Sequence, residues 1–152
     1  MKKVILLFLT SLFLLSCADN NRFNKENIIP TPKEFTIQDN KLYPIKEVVN
    51  SEKRDNLKFP HSNDEYYLKS SKGHVVIEGN EVWAKQTLSQ LTNESGCIPD
   101  VEIHDWSAYP IRGFMHDTGR NYQTLEMLKE TIDLMSLYKI NYFHWHLTDY
   151  PA

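Results

Sequence analysis

IRGFMHDTGRNYQTLEMLKETIDLMSLYKINYFHWHLTDY, residues 111–150, decides the fold. IRGFMH (111–116) is a short strand candidate, and INYFHWHL (140–147) is a strand rich in β-branched and aromatic residues. After the first strand, DTGRN (117–121) is a polar loop, and Thr124 is placed to cap a helix running to about Tyr138. Leu128, Ile132 and Met135 recur at i, i+4 and i+7, with Leu125 and Leu134 beside them. Glu126, Lys129, Glu130 and Asp133 fall elsewhere, Lys129 and Asp133 as an i,i+4 pair. The pattern is a β–loop–α–β unit, whose crossover makes the two strands parallel.

Upstream, residues 28–107 read as a small α+β domain. IIPTP (28–32) is extended and punctuated by proline. EYYLKS and HVVIEG flank a Ser-Ser-Lys-Gly turn and read as a hairpin. Between 82 and 93 the period changes. Val82, Ala84, Leu88 and Leu91 alternate with Lys85, Gln86, Gln90 and Asn93 in a helical pattern, with Gly96 near its exit. Residues 101–103 form a short strand candidate, and no internal repeat is visible.

The first residues read as targeting rather than fold. Lys2 and Lys3 precede an apolar run over 4–15, shorter than the roughly 20 residues of a bilayer-spanning helix. Leu14-Leu15-Ser16-Cys17 resembles a bacterial lipobox. The expectation is a signal peptide over 1–16, lipid on Cys17 and a flexible tether over 17–27. The product would be an exported, membrane-anchored lipoprotein of the cell envelope, periplasmic or surface-exposed. Lipidation of Cys17 would leave Cys97 without a partner, so Cys97 is expected to be a small buried thiol.

A net charge of −3 gives no basic field for nucleic acid. The chemistry gathers instead at the ends of the two parallel strands, where α/β folds bind ligands. His116, Asp117 and Arg120 follow the first strand; His144, His146 and Asp149 close the second. Tyr142, Phe143 and Trp145 add aromatic walls suited to an apolar or sugar-stacking pocket. His144 and His146, two residues apart on a strand, face the same side, so a metal pair is one reading of that block.

RGFMHDTGR (112–120), followed by a helix ending in LMSLYKINYFHWHLTD (134–149), resembles the glycoside hydrolase family 20 β-N-acetylhexosaminidases. The upstream IIPTP, the hairpin and QTLSQL (86–91) resemble that family's small N-terminal domain. The resemblance implies a small α+β N-terminal domain followed, over 108–152, by the first β-α-β unit of a (β/α)8 TIM barrel. It implies removal of terminal N-acetylhexosamine from glycoconjugates, with the substrate's 2-acetamido oxygen as nucleophile and an Asp-Glu pair serving it. Carried over by position, Arg120 holds the hydroxyls of the terminal sugar, and Asp149 supports the general acid through a histidine further along. His144 and His146 shape the pocket, and Asp117 is structural. Asn121 and Tyr150 stand where many members have His and Asp. No metal or organic cofactor is implied; the partners are an N-acetylhexosamine-terminated glycan and, through the lipid, a membrane.

The 152 residues are fewer than the roughly 250 of a complete (β/α)8 barrel. The only Asp-Glu dipeptide is Asp64-Glu65, which reads as a solvated turn in the small domain. The expectation is therefore an N-terminal portion that lacks the catalytic pair and is inactive by itself. Two rival readings are a metal-dependent barrel hydrolase using His144 and His146, and a non-enzymatic sugar-binding lipoprotein.

Overall fold

The computed structural model describes residues 24–51 and 63–148. The expected signal segment, Cys17 and most of the tether lie outside those residues. After a short 3-10 turn, Lys25–Asn27, come strands β1 (Glu34–Pro44), β2 (Glu47–Ser51), β3 (Tyr66–Ser71) and β4 (His74–Gly79). Helix α1 (Glu81–Leu91) and strand β5 (Cys97–Asp105) complete the first unit. The second unit is β6 (Gly113–Asp117), α2 (Leu125–Leu137) and β7 (Tyr142–His146).

The small domain is a five-stranded sheet in the order β1-β5-β3-β4-β2. Its predicted hairpin is present, with β3 antiparallel to β4. Lys72 (φ 49°) and Gly73 (φ 84°) both occupy the left-handed region, as a two-residue primed turn requires. A side chain at Gly73 would drive into the carbonyl of Pro44, so glycine is needed there twice over. The strand expected over 101–103 extends to nine residues as β5 and lies between β1 and β3. Pro99 offers no N–H to the ladder, and β1 shifts register between Ile37 and Leu42, around the residue paired with it.

Asn80 caps α1 by accepting from the Trp83 amide at 3.1 Å. Ala84, Thr87, Leu88 and Leu91, at i, i+3, i+4 and i+7, are the buried face, while Val82 is exposed. That face joins Ile28, Tyr66, Leu68, Val75, Ile77, Ile98, Val101 and Ile103 in one core.

The second unit is the parallel pair foreseen, with Gly113 opposite Tyr142 and Asp117 opposite His146. Both strands begin two residues later than expected, because Asn141 clasps the preceding turn. Its side chain accepts from the Arg112 amide at 2.9 Å and donates to the Pro110 carbonyl at 2.8 Å. Thr124 caps α2, accepting from the Met127 amide at 3.3 Å. Leu128 and Met135 are buried, but Ile132, Leu125 and Leu134 on the expected apolar face are exposed; among the described residues the second unit's sheet has two strands.

The two units meet along a polar seam. Helix α2 closes with Lys139 at φ 56°, its amide bonded to Ser136 and that of Ile140 to Met135, the position usually given to glycine. A left-handed non-glycine residue costs roughly 1–2 kcal/mol. The lysine stays because its ammonium enters the seam, reaching Asp105 Oδ2 at 2.9 Å and Tyr66 Oη at 2.8 Å. Tyr66 is tied in turn to Thr87 at 2.6 Å. Burial, followed by the Asp105 charge, drives the Tyr66 phenol far above its ordinary pKa. Burial pulls the Lys139 ammonium down, and Asp105 offsets this only in part. Arg112 completes the seam, meeting Asp64 at 2.8 Å and the Lys139 carbonyl at 2.7 Å. Gln86 of α1 also donates to Ser136 of α2 at 2.7 Å.

Two expectations need correction. Asp64-Glu65 is no solvated turn: the Glu65 side chain is fully buried 2.7 Å from His104 Nε2, and Asp64 belongs to the seam. Cys97 is buried as expected, but it is disulfide-bonded rather than a free thiol. The unpaired reading assumed that lipid would occupy the only other cysteine. Among the described residues, no helix is long and apolar enough to cross a membrane.

Breaking a buried ion pair from one side leaves an uncompensated charge. Lys139→Ala should cost about 3–5 kcal/mol by urea unfolding, and Lys139→Met with Asp105→Leu should recover much of that loss. Equal stability of the single variant and wild type would contradict the seam's role.

Candidate functional site

Asp117, the last residue of β6, organises the strand-end site. Its Oδ1 accepts from the amides of Gly119 (3.0 Å) and Arg120 (3.1 Å), closing the Asp-Thr-Gly-Arg turn on itself. Its Oδ2 lies 3.2 Å from His146 Nδ1 and 3.4 Å from Arg120 Nε. One carboxylate therefore ties together the first loop, the arginine and the end of β7. Burial pushes the Asp117 carboxyl up, but the His146 hydrogen bond and the Arg120 and Gly119 amides outweigh it. The group is held below the usual carboxylate range. Thr118 extends the clasp: its amide donates to the His146 carbonyl at 2.9 Å, and its hydroxyl accepts from Trp145 Nε1, also at 2.9 Å.

The predicted residues divide around this clasp. Arg120 is positioned by its backbone, while its side chain stays 75% exposed and projects from the loop. His146 is engaged by Asp117. His144 shares its strand face, with ring centroids 6.5 Å apart, and remains exposed. His116 does not join the cluster. It lies within β6 rather than in the loop, on the face opposite Asp117, and stacks near Phe114 at 6.1 Å. Its Nε2 is buried without a hydrogen-bond partner. Asp149 and Tyr150 lie outside the described residues.

Among the described residues, no group of three or more His, Cys, Asp or Glu is arranged to hold a metal ion. His146 Nδ1 faces Asp117, an orientation that a histidine ligand would share, so this contact does not decide the metal reading. The arrangement instead presents a planar fork of donors beside aromatic and imidazole surfaces, suited to an uncharged polyhydroxy ligand. Sequence reading treated Asp117 as structural and missed its hold on Arg120; the Asp-x-Gly pattern of an Asx turn was the available signal.

A parallel β-α-β unit with its polar cluster at the strand ends defines an α/β ligand-binding class. Comparison with known proteins narrows it. Residues 109–152 match the model for glycosyl hydrolase family 20, catalytic domain. The chain is 31% identical over 145 residues to beta-hexosaminidase A of Caenorhabditis briggsae, covering 90% of this chain and 26% of that protein. It is 39% identical over 107 residues to a beta-hexosaminidase of Porphyromonas gingivalis, covering 61% and 14%. Streptomyces plicatus N-acetyl-beta-hexosaminidase in complex with Thio-NAglucal superposes with a TM-score of 0.71 at 19% identity, covering 87% of this chain and 36% of that one, and so bears on the fold. The chain belongs to glycosyl hydrolase family 20. It spans about a quarter of the length of the first curated relatives it matches.

Because the folded Asp117 carboxyl has a depressed pKa, its contribution to the clasp is present above about pH 4. It is lost as pH falls through the depressed value. Asp117→Ala should lower the hydrogen-exchange protection of the Gly119 and Arg120 amides at neutral pH, and acidification of wild type should lower it too, each rate being compared with the intrinsic rate at the same pH. Unaltered protection in the variant would refute the clasp.

Proposed function

We propose that this chain forms the opening of an exo-acting β-N-acetylhexosaminidase, releasing terminal N-acetylglucosamine or N-acetylgalactosamine from glycoconjugates. On this reading, β6–α2–β7 is the first β-α-β unit of a (β/α)8 barrel, and the five-stranded sheet is its small N-terminal domain. The observation that carries it is the Arg120 fork, held at the end of β6 by Asp117 inside the segment that matches the family. Arg120 would donate to neighbouring hydroxyls of the terminal sugar, with His144 and His146 shaping the pocket edge. Asp149 would orient a histidine that supports the general acid. Hydrolysis would proceed with retention, the substrate's acetamido oxygen attacking the anomeric carbon with help from an Asp-Glu pair.

Asp64 and Glu65, the only Asp-Glu dipeptide in these 152 residues, are committed to Arg112 and His104. The 152 residues alone should therefore not hydrolyse a chromogenic N-acetyl-β-glucosaminide. Turnover by the purified chain that disappears on mutation within it would sink that reading. In a protein that also carries the pair, Arg120→Ala should lower kcat/KM about tenfold to a hundredfold. That is the worth of hydrogen bonds to a charged donor at ~1.5–3 kcal/mol; unchanged kinetics would remove Arg120 from the site.

The Leu-Leu-Ser-Cys motif supports a further part of the proposal, export to the cell envelope and anchoring through lipid on Cys17; one sulfur cannot carry both a lipid thioether and a disulfide, so the anchored form is one in which Cys97 is not bonded to Cys17. Labelled palmitate should enter the wild type and not Cys17→Ala, which should leave the membrane fraction. Retention of the variant on membranes would count against the anchor.

A further inference from the structure

At the end of β6 opposite Asp117, the seam between the two units encloses a cavity of about 220 Å³. It is smaller than the roughly 300–1,000 Å³ of drug-sized pockets, and so suits one small ring rather than an oligomer. Trp83, Trp106 and Tyr109 supply aromatic walls. Four of the five charged groups that line it are matched in pairs, Arg112 with Asp64 at 2.8 Å and Lys139 with Asp105 at 2.9 Å; the fifth, Lys33, is an exposed side chain whose charge water and salt screen. An anion would meet two carboxylates and a cation would meet an ammonium and a guanidinium, so the walls favour a neutral ligand.

One donor is left over. The Lys139 ammonium has three N–H groups but two acceptors, Tyr66 Oη and Asp105 Oδ2. Its side chain is only 9% exposed and lines the cavity. A buried donor without a partner costs about 1–3 kcal/mol. A ligand oxygen delivered there recovers part of that cost. Aromatic faces beside a polar donor, in a site whose less exposed charges balance, fit a ring that is apolar on its faces and hydroxylated at its edge.

We propose that this cavity binds a single neutral saccharide ring, packed against Trp106 and Tyr109 and offering a substituent oxygen to Lys139. Binding there does not depend on hydrolysis, or on Arg120.

The test is a titration of the 152-residue chain with N-acetylglucosamine, followed by NMR of the three indole N–H resonances, with sodium acetate as a charged control. Saturable shifts of the Trp83 and Trp106 indoles are expected at roughly millimolar affinity, with Trp145 unmoved. They should persist in Arg120→Ala. Tyr109→Ala, at a residue 71% exposed and so safe for the fold, should weaken binding at least about tenfold, a loss of ~1.4 kcal/mol. The proposal is overturned if the two indoles do not move, if acetate moves them equally, or if the shifts survive Tyr109→Ala. It is also overturned if they vanish in Arg120→Ala, which would place the sugar at the strand-end loop. Absence of cavity shifts together with normal Arg120-dependent turnover in a protein carrying the catalytic pair would refute this site alone.

Discussion

A single buried ammonium fixes how the two units of this protein meet. Lys139 follows α2 in a left-handed turn, and its side chain ends between Asp105 and Tyr66 of the sheet domain. The same turn sets where the next strand begins. Three residues later Tyr142 pairs with Gly113, and four further on His146 arrives opposite Asp117. A one-residue slip would turn every β7 side chain to the other face and remove His146 from its carboxylate. The placement of the strand-end cluster is thus inherited from a charge pair at the far end of the strands.

The two ends of β6 and β7 use charge in opposite ways. In the seam, Lys139, Asp105, Asp64 and Arg112 are largely withdrawn from water and pair with one another. Such an arrangement stabilises only if every partner is present, so it specifies one docking geometry. At the other end, Asp117 gathers backbone amides, His146 and Arg120 Nε, while most of the Arg120 side chain remains exposed. A rigid turn beneath a largely exposed fork of donors is the division of labour a binding loop needs.

How much of this was legible depended on whether the signal was local. The β6–α2–β7 unit could be read because its period switches from strand to helix and back, with Thr124 marking the cap. The turn at Lys72-Gly73 declared itself through glycine. By contrast, β1 and β2 were not read, although Phe35 and Ile37 alternate with Glu34, Thr36 and Gln38 at the start of β1, and β5 looked short because Pro99 interrupts it although the sheet tolerates it through a bulge in β1. The seam was invisible: Lys139 and Asp105 lie 34 positions apart, and each resembles an ordinary surface charge. Glu65 was misread for the same reason, since its burial depends on His104 in a strand 39 residues on. At the candidate site, the identities of Arg120 and His146 came from the motif. That Asp117 joins them could be seen only once the strands were paired.

The seam also imposes an order of events during synthesis. Asp105, Tyr66 and Asp64 belong to a sheet domain whose last strand, β5, ends before β6 begins. A chain made from its N-terminus can complete that sheet first, since domains generally fold as units as they emerge. The acidic half of the seam is then already in place when Lys139 leaves the ribosome. The small domain in this way becomes a template for the first parallel strand pair. That pair exposes Phe114, Tyr142 and Trp145 and forms a sheet of only two strands among the described residues. Parallel pairs of this kind form slowly and their open edges invite mispairing. Holding the first pair in register against a finished surface shortens the time those edges spend without a fixed position.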